Sequence, residues 1–185
     1  MKSSENFATE GLSGTYKQVV FSQKNGQTIV GKRPKRKAGT LPAIQQSINA
    51  MFKKAVIYAK SVLTDLAMKA AYKAKAKRGQ SAFNVAIADF FKLPEIGEID
   101  SGGYNGQIGG TLLATVTDDF KVASVKVRIE KADGSLIEDG VANLLPDGLN
   151  WMYVSTVRND SLAGTKISFT ATDLPGHSIS KLKTL

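Results

Sequence analysis

The strongest constraint on the fold is a two-residue alternation of apolar and polar side chains between Gly109 and Lys183. It runs through GGTLLATVTDDFKVASVKVRIEKADGSLIEDG, then WMYVSTV, then GTKISFTATDLPGHSISKLK. Asp-Gly, Pro-Asp-Gly and Pro-Gly turns break it into short bursts. Successive side chains of a strand point to opposite faces, so the pattern describes half-buried antiparallel strands. Leu112, Ala114 and Val116 share one face of a first strand. Val125, Val127 and Ile129 share a face of a second, with Lys126, Arg128 and Glu130 opposite. Trp151, Tyr153 and Ser155 line a further strand, and Ile167, Phe169 and Ala171 the next. About six such strands separated by turns predict a β-sandwich.

The chain ahead of this stretch follows other rules. Residues 15–22 and 27–31 flank Asn25-Gly26, a pair suited to a turn with positive φ at both positions. A hairpin is predicted there, with Lys24 opposite Gln27 and Phe21 opposite Val30. Val19, Phe21 and Val30 would share a face that must pack on something, because a lone hairpin is marginal in water. Thr40 can cap a helix with Pro42 in its first turn. From there Ile44, Ile48, Met51 or Phe52, Ala55, Ala59, Val62 and Leu66 recur at three- and four-residue steps. They form one apolar face of a long helix, or of two helices meeting near residues 61–64, and are expected in a core. The run AMKAAYKAKAKRG continues as helix toward Gly79, a residue suited to end it. Ser81 then caps a short helix whose Phe83, Ile87, Phe90 and Phe91 should dock on the earlier ones, and Pro94 stops it.

The expected fold class is therefore α+β in two modules. Residues 1–94 form a basic hairpin-plus-helical module, residues 95–110 a linker or first edge strand, and residues 111–185 the sandwich. The glycines of the joint match neither a dinucleotide fingerprint nor a P-loop. Charge separates the same halves. Residues 1–94 hold 17 Lys and Arg against 4 Asp and Glu, a net of +13, and residues 95–185 hold 8 against 12, a net of −4. Together they give the +9 of the chain.

Lys32, Arg33, Lys35, Arg36 and Lys37 form the densest basic run, kept extended by Pro34. Lys53 and Lys54 belong to the polar face of the first helix, and Lys69, Lys73 and Lys77 stand four apart with no acid to offset them. Lys77 and Arg78 suit the negative end of the helix dipole, which does not reach Lys69. These residues are the candidate polyanion-binding set: they read either as solvated surface or as contacts to phosphate.

In ATVTDDFKVASVKVRI, Asp118, Asp119, Val122 and Val125 fit an A-x-D-D…V-x-x-V pattern. In GTKISFTATDLPGHSISK, Thr170, Ala171, Asp173 and Gly176 fit T-A-x-D-x-x-G-N, with His177 in place of the Asn. With the WMYV strand between them, these residues make the last 80–90 residues or so resemble bacterial immunoglobulin-like domains. That resemblance implies a two-sheet fold used as a generic binding or spacing module. The whole layout, from hairpin through S-A-F-N-x-A-I-x-D-F to sandwich, is similar to small proteins of Bacteroidota and their phages.

Catalytic signatures are few. The chain has no cysteine, which excludes disulfides and cysteine-based zinc sites, and His177 is the sole histidine. A triad would have to use that residue, in a predicted turn, so no catalytic or cofactor site is assigned and an enzyme is not expected. Asp118, Asp119 and Asp173 either cap turns or crowd one end of the sandwich as oxygen ligands for calcium. Residues 1–14 lack the apolar core of a signal peptide, and no stretch approaches a membrane span. The expected setting is cytoplasmic or in a virion. The leading reading is a non-enzymatic structural or assembly protein, such as a phage virion component. Its partners would be protein subunits of the same or another kind, as a homo-oligomer or part of an assembly, with DNA or RNA held through non-specific phosphate contacts. One alternative is a sequence-nonspecific nucleic-acid-binding protein. Another is a surface- or carbohydrate-binding module, which would need Trp151, Tyr153 and Tyr104 exposed.

Overall fold

The computed structural model describes residues 11–24, 26–35 and 42–185 in full and the backbone of residues 2–3. Asn25, Arg36, Lys37 and the expected cap Thr40 lie outside the described residues. The described chain is α+β, with three helices and three four-stranded antiparallel sheets. It divides into two compact units, residues 1–50 with 77–79, and residues 51–76 with 80–185. Among the described residues no helix is long and apolar enough to cross a membrane.

The first unit contains a sheet of β1 (Lys2–Ser3), β2 (Gly14–Tyr16), β3 (Val19–Lys24) and β4 (Gln27–Lys32), in the order β1-β4-β3-β2. The hairpin register is the expected one, with Lys24 opposite Gln27 and Phe21 opposite Val30. Gly26 takes φ of 77°, as its turn requires. Two short strands flank the hairpin, β1 beside β4 and β2 beside β3. Val19, Val20, Phe21, Ile29 and Val30 are half-buried, and among the described residues of the sheet only Thr28 is buried. Gln23 Nε2 donates to Thr28 Oγ1 and to the Leu12 carbonyl, both at 2.8 Å, closing one end of the sheet.

Helix α1 (Ala43–Val62) continues into the second unit, which also holds α2 (Leu66–Lys75) and α3 (Ala82–Phe91). The break between α1 and α2 falls where expected. Asp65 caps α2, accepting from Ala67 N and Met68 N, and Ser81 caps α3, accepting from Asn84 N. Three expectations fail here. First, α2 ends at Lys75 rather than near Gly79, because Ala76 turns to an extended conformation with ψ of 127°. Second, the apolar stripe of α1 is not all core. Ala55 and Ala59 are fully buried, whereas Ile44, Ile48, Met51, Phe52 and Leu66 are exposed, Ile44 by 75%. α1 has 20 residues and α2 and α3 have 10 each. At 1.5 Å per residue it is about 30 Å long, against about 15 Å for each of the others. Third, Phe83 and Ile87 pack on the helical cluster and Phe90 meets the Tyr58 ring as expected, but Phe91 is 47% exposed, and the fully buried line on α3 is Ala82, Ala86 and Asp89. Small side chains at four- and three-residue steps let α3 approach Ala59 and Tyr72 closely.

The remaining strands form two sheets. One has the order β5-β6-β10-β9, from β5 (Glu95–Asp100), β6 (Thr111–Thr117), β9 (Asn143–Leu144) and β10 (Asn150–Val154). The other has the order β12-β11-β7-β8, from β7 (Val122–Glu130), β8 (Leu136–Val141), β11 (Lys166–Asp173) and β12 (Ser178–Thr184). Leu112, Ala114, Val116, Trp151 and Tyr153 of the first sheet and Val125, Val127, Ile129, Ile167, Phe169 and Ala171 of the second belong to one buried cluster. These are the alternating residues that the sequence singles out. A register shift between Ile96 and Ile99 loosens β5 from its ladder. There the carbonyls of Gly97 and Ile99 accept from the ammonium groups of Lys181 and Lys183, at 2.7 Å each. Two lysines of β12 thus tie edge to edge and blunt both edges against other strands.

Candidate polyanion site and a buried tyrosine–aspartate cluster

β2 and β3 are joined by two residues, Lys17 and Gln18. Two-residue hairpin turns demand a positive φ that glycine meets without strain. Here Lys17 takes it, at 52°, and no other described non-glycine residue has a positive φ. The Gln18 carbonyl accepts from Arg33 N at 2.8 Å, tying the segment that leaves β4 beside this turn. Lys17, Gln18, Lys32, Arg33, Pro34 and Lys35 consequently line an open concavity of about 580 Å³. Lys32, Arg33 and Lys35 are exposed, and among the described residues none of the four cations has a carboxylate within ion-pair distance. Three of the five residues of the basic run are thus brought together, while Arg36 and Lys37 lie outside the described residues. Lys17 has no signature in the sequence, because its turn lacks the glycine or asparagine that marks a tight hairpin.

The helical lysines are less concentrated. Lys53 and Lys54 are exposed on α1, and Lys69 and Lys73 on one face of α2. Lys77 and Arg78 lie past the end of α2 in the first unit, so the expected row of three lysines is a pair. Lys75 serves the fold instead. Its ammonium donates to the carbonyls of Asp119 and Phe120 at 2.8 and 2.9 Å, and it sits 5.1 Å from the centre of the Phe120 ring.

Where the helices meet the sheets there is a polar cluster that the sequence does not announce. Tyr72, with no exposed surface, donates its hydroxyl to Asp89 Oδ2 at 2.7 Å. The hydroxyl of Tyr58 lies 2.8 Å from that of Tyr72 and 3.4 Å from Asp89 Oδ2. The Tyr72 ring stacks on Phe120 of the β6–β7 loop, at 3.8 Å and 11°. Phe90 meets His177 edge-on at 4.8 Å, and the histidine is held by Asp173, which accepts its N–H at 2.6 Å and lies 3.1 Å from Nδ1. Burial pushes the Asp89 carboxyl up; the Tyr72 hydrogen bond opposes this, and the charges of Asp118 and Asp173 add to the rise. Burial likewise raises Tyr58 to about 12 despite its bond to Tyr72, and raises Tyr72 further. Asp89 is 4% exposed, and its bonds fasten the three helices to one another, while the Phe120 and His177 ring contacts join them to the sheets. Its one sequence trace is a lone acid on the Ala82–Ala86 face of an otherwise apolar helix.

The three aspartates weighed as calcium ligands have other work. Asp118 Oδ2 accepts from Phe120 N and Lys121 N, Asp119 pairs with Lys92 at 3.7 Å, and Asp173 holds the His177 turn. Among the described residues no three acidic or histidine side chains surround a point that a metal ion could occupy. Trp151, Tyr153 and Tyr104 are 8%, 6% and 5% exposed, inside the core.

No family model matches the chain, and no curated protein matches it. Among solved structures, the chain is similar to a crystal structure of an engineered protein, at 16% identity and a TM-score of 0.34. The match covers 59% of this chain and 30% of that one, so the chain spans under a third of its length.

Proposed function

We propose that the chain is a non-enzymatic structural or assembly protein, of the kind found as a virion component. In this reading its basic N-terminal part meets a polyanion, and its C-terminal part is an immunoglobulin-like module that contacts other subunits. The observation that carries the assembly reading is the apolar stripe on α1. Ile44, Ile48, Met51 and Phe52 stand at helical spacing in line with buried Ala55 and Ala59, yet are 43–75% exposed. A contiguous apolar row left in water costs roughly 25 cal/mol per Å² relative to burial, and such rows mark protein interfaces. The partner in this reading is a second copy of the chain, whose −4 segment complements the +13 segment.

Support for the immunoglobulin-like part comes from connectivity. Lettering β5 to β12 in order as A, B, C, C′, D, E, F and G gives sheets A-B-E-D and G-F-C-C′, the arrangement of that fold. The departures are the missing disulfide and a core tryptophan on β10 instead of strand C. The surface-binding alternative loses its aromatic platform, because Trp151, Tyr153 and Tyr104 are buried.

Light scattering across a concentration series tests the reading. Self-association that weakens in high salt and is lost in Ile44→Ser/Ile48→Ser is the expected result. A strict monomer at every concentration would overturn it.

A further inference from the structure

We infer that the turn-side end of the N-terminal sheet binds single-stranded nucleic acid, with Tyr16 as the base-stacking platform and Lys17, Lys32, Arg33 and Lys35 on the phosphates. The inference rests on the polyanion part of the proposed reading and is independent of self-association.

Register places these groups together. Tyr16 is directly opposite Val19, and Val19 directly opposite Lys32. Directly paired residues of an antiparallel sheet project from the same face, so Tyr16 and Lys32 flank Val19 on one surface, about 10 Å apart across two strand spacings. Lys17 and Arg33 adjoin them in sequence, and the Arg33-to-Gln18 hydrogen bond fixes the two segments side by side. Tyr16 is 66% exposed, and the Lys17 ammonium lies 5.5 Å from the centre of its ring. A lysine occupies a positive φ that glycine would take without strain, which sets a cation beside the ring at a cost of order 1–2 kcal/mol.

Cations alone would suit any polyanion. Exposed Tyr16 separates the candidates. An acidic protein surface is held through its carboxylates and does not require the Tyr16 ring, and a duplex keeps its bases stacked inside. A single strand supplies both phosphates and free base faces, the combination that stacking platforms in positive grooves recognise without reading sequence.

The test is fluorescence anisotropy of the full chain with a labelled thymidine oligonucleotide, its duplex with the complementary strand, and unlabelled polyglutamate as competitor. The expected result is preference for the single strand over the duplex. Its affinity should fall with salt at a log–log slope of about −3, from four phosphate contacts at about −0.7 each. Tyr16→Ala should weaken binding about 5- to 100-fold, and Tyr16→Phe, which keeps the ring, should not. Lys32→Gln/Arg33→Gln should lower the slope to about −1.4. Equal or tighter duplex binding, an unaltered Tyr16→Ala, displacement by polyglutamate as effective as by the unlabelled oligonucleotide, or no binding at low salt would each overturn the inference. Self-association measured on the same samples by light scattering reports separately on the assembly reading.

Discussion

Removing one hydroxyl from the centre of the tyrosine–aspartate cluster should loosen the three helices from one another. In Tyr72→Phe the ring still stacks on Phe120, but Asp89, 4% exposed, loses its 2.7 Å donor and keeps only Tyr58 at 3.4 Å. A hydrogen bond to an ionised group contributes about 1.5–3 kcal/mol, and a neutral one about 0.5–1.5 kcal/mol. The loss should therefore be about 1.5–3 kcal/mol where Asp89 is ionised and smaller where it is protonated. Because burial raises the Asp89 carboxyl, the folded protein holds that proton more tightly than the unfolded chain. The contribution of this group to stability is fully present below the unfolded value near 3.9 and is lost as pH rises through the raised value. Asp89→Asn removes the buried charge while its carbonyl still accepts from Tyr72. The stability of Asp89→Asn relative to wild type should increase with pH from about 4 and level off once wild-type Asp89 is ionised. Trp151, the sole tryptophan and 8% exposed in the shared core, reports unfolding of the second unit in denaturant titrations at several pH values. The reasoning is refuted if Tyr72→Phe costs nothing at neutral pH, or if the difference between Asp89→Asn and wild type does not change with pH.

Two further outcomes follow from the sandwich and its tyrosines. An added Cβ at Gly140 would stand 2.7 Å from Tyr153 Cε2 and 3.0 Å from its hydroxyl. That hydroxyl donates to buried Glu138, so the ring cannot simply move away. Gly140→Ala should cost about 1–3 kcal/mol, read as a shift of the denaturant midpoint. Burial raises Tyr58 and Tyr153 to about 12 each, and raises Tyr72 and Tyr104 as well. Since a raised phenol stabilises below the ordinary value near 10 and ceases to as pH climbs past it, the second unit should lose stability between about pH 10 and 12. In an alkaline absorbance titration most phenolate should appear together with the loss of buried Trp151 emission. Smooth ionisation of all five tyrosines with the fold intact would contradict this.

The sheets were legible because a period of two is a local signal with one meaning here. Val125, Val127 and Ile129 face inward and Lys126 and Arg128 outward, as their alternation requires. The cluster was not legible, since Tyr58, Tyr72 and Asp89 come from three helices and meet only after these fold together. The concavity was half legible. The run around Arg33 is plain in the sequence, but Lys17 and Tyr16 join it through a backbone hydrogen bond and a strand register that composition does not encode.

The stripe on α1 shows where such reading stops. Spacing establishes that Ile44, Ile48, Met51, Ala55 and Ala59 share a face, and says nothing about what lies opposite. Periodicity therefore carries one message for a core and for an interface. Ala55 and Ala59 are buried, whereas Ile44, Ile48, Met51 and Phe52 are exposed. The largest side chains stand on the exposed part. A helix built only to complete its own core would gain most from large apolar groups at its buried end, where each removes more surface from water. The reverse placement, alanines inside and isoleucines, methionine and phenylalanine outside, is the observation on which the proposed self-association rests.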